Sequence, residues 1–245
     1  MILKQNKYDD SAFYAAYKEM PRSIGGLGSA GEWHEFKALL PDLQGKSVLD
    51  LGCGLGWHCR YAREQHAARV VGVDISAKML ESAREQTDDP AITYLQAPIE
   101  DIDFPDDHFD VVLSSLAIHY VESFDSVCHK VYACLKHGGT FVFSVEHPIF
   151  TSRPEQEWIL DEQGNPLYWP VDHYQDEGIR NTSFLTDHVI KYHRTLSTYI
   201  NDLIRNGFVV TAVREPVPDP KLMHHPGMKD ETRRPMFLIL SAEKQ

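Results

Sequence analysis

An α/β fold built on a mostly parallel sheet is predicted by three features of the chain. The apolar run Ser47 to Leu51 leads straight into Gly52-Cys53-Gly54-Leu55-Gly56, with glycine at alternate positions, and a helix is expected from Trp57 to His66. A second apolar run from Arg69 closes on Asp74, within the roughly 30 residues of one βαβ unit. A chain of 245 residues that is 42% hydrophobic suits one α/β domain with room for an insertion.

Glycine suits that loop because a side chain would block close approach of the backbone to a ligand, and because the turn calls for positive φ. The helix start behind it offers free N–H groups. A dinucleotide fingerprint, Gly-x-Gly-x-x-Gly, would need glycine where Trp57 stands, which argues against nicotinamide or flavin. The segment resembles instead the first motif of the class I S-adenosylmethionine-dependent methyltransferases, acidic-x-Gly-x-Gly-x-Gly. Gly52, Gly54 and Gly56 match it, with Asp50 as the acidic member. The resemblance extends to Asp74, to Phe104-Pro105-Asp106-Asp107-His108-Phe109-Asp110 with its following apolar strand, and to Leu135-Lys136-His137-Gly138-Gly139. Uncharacterised bacterial methyltransferases related to the ubiquinone-biosynthesis type share Leu-Asp-Leu-Gly-Cys-Gly, Ser-Ser-Leu-Ala-x-His-Tyr and Glu-His-Pro-Ile. Motifs carry the likeness over about residues 45 to 145, and element order carries it over about 195 to 241.

This resemblance implies a Rossmann-like, seven-stranded, mostly parallel sheet with helices on both faces. It divides the single domain into an N-terminal helical lid (1–44), a cofactor-binding core (45–147), a substrate-cap insertion after the fifth strand (148–193) and a segment completing the sheet (194–245). It implies S-adenosyl-L-methionine as cofactor, leaving as S-adenosyl-L-homocysteine. The implied cofactor contacts are Asp50, Gly52, Cys53 through its backbone, Gly54, Gly56, Asp74 and Ile75, with the Asp74 carboxylate accepting both ribose hydroxyls. Relatives carry Gly-Asp-Ala-Glu after the third strand, but Pro98 stands at the Asp position here, so adenine recognition falls to the Ile99 backbone and to Glu100 or Asp101. Ser114 and Ser115 end the fourth strand, where open α/β sheets bind ligands.

In chain order, an aromatic helical stretch comes first, with Tyr8, Phe13, Tyr14 and Tyr17. It reads either as the packing face of a docking helix or as a lid, and as a lid it makes Tyr14, Tyr17 and Arg22 candidates for contacting substrate or the methionine carboxylate. Trp33, Phe36, Leu39 and Leu40 form one helical face that Pro41 stops. Ser76 is an expected N-cap for a helix through Arg84, with Met79 toward the core. A third strand spans 91–96, and Phe124, Val127, Val131 and Leu135 define a helix that Gly138-Gly139 is expected to close. The fifth strand, 140–146, precedes the insertion. Its density in aromatics and histidines and its length mark it as functional. A helix from Leu196 to Asn206, strands at 208–214 and 236–241 and a Pro-rich surface excursion between them complete the chain.

Transfer of a methyl group from a sulfonium is largely a matter of positioning. A hydroxyl or an acidic carbon benefits from a base poised near neutrality, and His119, His147, His173 and His193 are the candidates, with Glu146 to orient one of them or hold an amine. Tyr174 and Arg194 are further substrate candidates, Arg194 as a clamp for carboxylate or phosphate.

The net charge of −12 and the lack of a Lys/Arg block weigh against nucleic acid, as does Ser114-Ser115-Leu116-Ala117 where many amino-methylating enzymes carry Asn/Asp-Pro-Pro-Tyr. The four cysteines form no Cys-x-x-Cys and the histidines no His-Glu-x-x-His, so no metal is expected. The start lacks a signal-peptide core, and no apolar run approaches the roughly 20 residues of a membrane span. The reading is a cytoplasmic monomer or homodimer that methylates an O, N or C atom of a small molecule. The alternatives are a nucleic-acid base methyltransferase and a regulatory protein that binds the cofactor without transfer.

Overall fold

The computed structural model describes residues 4–245, so Met1, Ile2 and Leu3 of the expected lid lie outside the described residues. Strands whose successive residues are all apolar are buried on both faces. β1 (Ser47–Leu51) is buried at every position, and β2 (Arg69–Asp74), β3 (Ile92–Gln96), β4 (Phe109–Ser115) and β5 (Leu135–Glu146) extend it as a parallel sheet. After β5 come two antiparallel hairpins, β6 (Ile159–Leu160) with β7 (Pro166–Tyr168) and β8 (Gly178–Phe184) with β9 (Thr186–His193). β10 (Phe208–Arg214) and β11 (Phe237–Lys244) return to the main sheet antiparallel, giving the seven-stranded order β10-β11-β5-β4-β1-β2-β3.

Alternate residues along these strands feed two cores, one on each face. Val48, Val111, Leu113, Val142 and Ile239 pack with Phe36, Cys59, Ala62, Leu80 and Ala83. The helices on that side are α3 (Trp33–Leu39), α4 (Trp57–Glu64) and α5 (Ala77–Glu85), which follow the N-terminal α1 (Ser11–Lys18) and α2 (Pro21–Gly25). Leu49, Leu51, Val112, Phe141 and Leu240 pack against α6 (Phe124–Cys134) on the other face. α7 (Pro148–Thr151) opens the insertion, and α8 (Leu196–Arg205) places Tyr199 and Leu203 beside α6 in that second core. The chain runs outward from β1 to β3 and then recrosses to β4, so a crevice opens beyond the carboxyl ends of β1 and β4.

One expected boundary is corrected. Gly138 and Gly139 do not cap α6, which ends at Cys134 with Leu135 already extended and paired to Phe109. The two glycines sit in an irregularity of β5, between the Phe109–Leu135 and Val111–Thr140 pairings. A Cβ on Gly139 would lie 2.7 Å from the Lys136 carbonyl oxygen. Ser76 does cap α5, accepting the Met79 N–H at 3.1 Å.

The segments flanking the crevice are tied down by polar contacts. Asp9 accepts from Ser76 Oγ at 2.6 Å and from Lys78 N–H at 3.1 Å, fixing the N-terminal segment on the start of α5. Gln5 exchanges two hydrogen bonds with the Ile190 backbone, joining that segment to β9. The excursion before β11 carries the short α9 (Met228–Glu231), and Arg234 fastens it to the insertion. The Arg234 guanidinium lies 4.0 Å from the ring centroid of Trp169 and 4.9 Å from that of Phe150, and it pairs with Glu231 at 2.9 Å.

Gly56, the left-handed residue before α4, shows what the loop requires: its φ is +76° and an added Cβ would lie 2.3 Å from the Tyr94 hydroxyl. Gly56→Ala should destabilise the fold by about 1–3 kcal/mol in urea unfolding. A variant as stable as the parent would show that this turn tolerates a side chain.

Candidate active site

The glycine loop spends most of its amides on the fold. Gly52 and Cys53 both donate to the Val73 carbonyl, at 2.8 and 3.0 Å, and Gly56 donates to Cys53. Gly54 N–H donates to Asp74 Oδ2 at 2.8 Å, while Ser76 N–H donates to Oδ1 at 2.8 Å. What the loop offers a ligand is therefore bare backbone at Gly52 and Gly54, both at positive φ, beside the Asp74 carboxylate. Burial raises that carboxyl to about 6 against the pull of the Ser76 and Gly54 amides.

A cavity of about 780 Å³ opens there. It brings together Gly52, Gly54, Asp74, Ile75, Ile99, Glu100, Ser115, Tyr17, Arg22, His119 and Glu146. Ser114 lies behind it, donating to the Leu51 carbonyl at 2.7 Å. The Cys53 side chain is buried beside Cys59, and Gly56 packs on Tyr94. Asp50 sits under the loop, fully buried, with the Cys59 thiol donating to Oδ2 and Oδ1 without a partner among the described residues. Burial takes its carboxyl up to about 7.

Several candidates stand outside the cavity because their polar atoms serve the fold. His147 Nδ1 accepts the Ile149 N–H as the N-cap of α7, and its Nε2 meets Glu215 at 2.8 Å. His193 is held between Thr151 Oγ1 and the Tyr174 carbonyl, and the Tyr174 hydroxyl accepts from Leu196 N–H. His173 is exposed and pairs with Asp176. Tyr14 bonds Ser82 Oγ at 2.6 Å. Arg194 is buried with its guanidinium donating to the Val121 and Glu122 carbonyls, so it clamps the chain after β4 and does not line the cavity.

Two of the proposed catalytic candidates remain, and they touch. Glu146 N–H donates to His119 Nδ1 at 3.4 Å, which leaves Nε2 as the ring atom turned to the cavity. Burial pushes the His119 imidazole down to about 4, so it is neutral at pH 7. Burial alone would raise the Glu146 carboxyl, but His119 and Lys191, with hydrogen bonds from Lys191 and Gln156, hold it below the usual range. Lys191, only 1% exposed, reaches it from β9 at 2.6 Å.

Residues missed from the sequence also line the space. Tyr8 stacks edge-on with Tyr17 and Tyr120, and Glu32 pairs with Arg22 at 3.0 Å. Leu116 holds φ +52° at the end of β4, its N–H on the Ser144 carbonyl. Tyr120 adjoins His119 in the motif already quoted, which was the available signal; Tyr8 and Glu32 carry none beyond residue type.

The fold and this site define an S-adenosylmethionine-dependent methyltransferase of class I. A methyltransferase-domain family model matches residues 49–143. An uncharacterized protein of Haemophilus influenzae is 35% identical over 98% of this chain and 98% of its own length. An assigned S-adenosylmethionine-dependent methyltransferase from Listeria monocytogenes is 55% identical with a TM-score of 0.86, covering 90% of this chain and 99% of that one. An S-adenosylmethionine-dependent methyltransferase from Mesorhizobium loti is 43% identical with a TM-score of 0.84, over 89% and 100%. The chain belongs to this family, and S-adenosylmethionine is its cofactor. No helix among the described residues is long and apolar enough to cross a membrane.

Asp50 gives a pH test of the loop's floor. In the fold it keeps its proton up to about pH 7, whereas unfolded it loses it near about pH 3.9, so its stabilising contribution is full below about pH 4 and is lost as pH rises through about 7. The stability of Asp50→Asn relative to the parent should therefore rise by about 2 kcal/mol between pH 5 and pH 8 in urea unfolding. A constant difference across that range would show that Asp50 is ionised in the fold.

Proposed function

We propose that the chain is a cytoplasmic enzyme that methylates an O, N or C nucleophile of a small molecule by in-line displacement. The observation that carries this reading is that the cofactor-type groups, Gly52, Gly54 and Asp74, share one continuous cavity with a polar wall formed by His119, Glu146 and Tyr120.

The residues present fit the cofactor. A loop with no Cβ at Gly52 or Gly54 lies against a carboxylate with lone pairs to spare, since Asp74 accepts one amide on each oxygen. Asp74 would hold the ribose, Ile75 and Ile99 would flank the adenine with Glu100 at its edge, and Arg22, steadied by Glu32, would meet the methionine carboxylate. When bound, the cofactor supplies an activated methyl group whose bond to sulfur breaks as the acceptor's lone pair binds the carbon. The protein's own part is orientation and exclusion of water. Of the expected lid, residues 4–44 act in that role, and residues 148–193 act as the cap that delivers Lys191 to Glu146.

Calorimetric titration with S-adenosylhomocysteine, with reduced nicotinamide nucleotide as control, is the direct test, and only the former should bind. Asp74→Ala should weaken that binding by about tenfold or more, the scale of hydrogen bonds to a charged group. Undiminished affinity in a folded variant would take Asp74 out of the site, and no binding by the parent would overturn the reading.

A further inference from the structure

We infer that the acceptor half of this cavity is a site for an apolar amine, with Glu146 receiving the amine nitrogen; this deepens the methyltransferase reading and rests on it. The first observation is the charge of the wall. Arg22 is paired with Glu32 and Lys4 with Asp101, leaving Lys7 as a cation on the neutral Asp187 carbonyl, whereas Glu122, with Asp74 and Glu100 of the cofactor half, has no ionic partner among the described residues. A wall with this surplus of carboxylates attracts cations and repels anions.

The second observation is Glu146 itself. Its carboxylate is fixed by Lys191 Nζ on Oε1 and by Gln156 Nε2, at 3.0 Å, on Oε2, so each oxygen keeps a lone pair for an incoming N–H. Because it is only 11% exposed and held ionised, it stands ready to stabilise positive charge on nitrogen without reorganising. A carboxylate or phosphate at the same place would set acceptor against acceptor, because the Lys191 ammonium spends its donors on Glu146 and Gln156 and does not line the cavity. The third observation is the apolar lining, where Phe237, the β11 partner of Glu146, and Val217, Leu222, Met228 and Met236 from the connection before it present surface to the body of the ligand.

The probes are phenethylamine, 2-phenylethanol and 3-phenylpropionate, which share a body and differ in the polar end. Each is titrated calorimetrically into the full chain saturated with S-adenosylhomocysteine. The amine should bind at least tenfold more tightly than the acid and more tightly than the alcohol. Binding in which the acid or the alcohol equals the amine, or binding by none of the three, overturns the inference. Glu146→Gln alone would strand the buried Lys191 ammonium, so the variant is the double substitution Glu146→Gln/Lys191→Met. It should lose amine affinity at least tenfold while retaining S-adenosylhomocysteine, and retention of both would also overturn the inference. If the double variant fails to fold, the ranking of the three probes on the parent decides alone. Failure of the parent to bind S-adenosylhomocysteine would instead strike the methyltransferase reading, before any probe is added.

Discussion

The site depends on one carboxylate. Asp74 joins the Gly54 amide to the Ser76 amide, and Ser76 in turn passes its hydroxyl to Asp9. Three separate pieces of chain, the loop after β1, the start of α5 and the N-terminal segment, are thereby held around a single buried group. An apolar side chain there would leave two backbone donors without an acceptor in a place that water reaches poorly. The raised affinity of Asp74 for a proton is the electrostatic counterpart of that arrangement: the group is desolvated and close to Asp9, and no cation among the described residues is paired with it.

The crossing from β3 back to β4 turns this local knot into a cavity. The parallel order puts the ends of β1, β2 and β4 on one rim, and the later antiparallel strands β10 and β11 bring Met236 and Phe237 to the far side. The insertion supplies what the sheet cannot, a buried ammonium opposite Glu146. Such a pair loses much solvation on burial and is held by close geometry and the extra bonds from Gln156.

How much of this was legible in the sequence follows from the range of the interactions. Gly52, Gly54, Gly56 and Asp74 belong to a pattern spread over one βαβ unit, and the runs of successive apolar residues in β1, β4 and β5 report burial on both faces directly. His147, His193 and Arg194 could not be sorted in the same way. Their residue types suit catalysis, and only the partners Glu215, Thr151 and the Val121 carbonyl, brought in by the fold, show what engages their polar atoms. Lys191 fails for the opposite reason: a lysine in an aromatic-rich insertion reads as exposed until Glu146, 45 positions earlier, is seen to receive it. Tyr8 and Glu32 lie far from every motif and reach the cavity only because Asp9 and Arg22 pin their segments.

The aromatic seat of Arg234 bears on how the family can vary. The guanidinium packs on the stacked rings of Trp169 and Phe150 of the insertion yet belongs to the connection between β10 and β11, whose Met228 and Met236 face the cavity. Insertion and connection are therefore packed as a matched pair. A graft that exchanges one without the other would bury a cation with nothing aromatic to receive it, so a change of acceptor must come by drift at both loci together, or by substitutions at the cavity face that leave this seat intact.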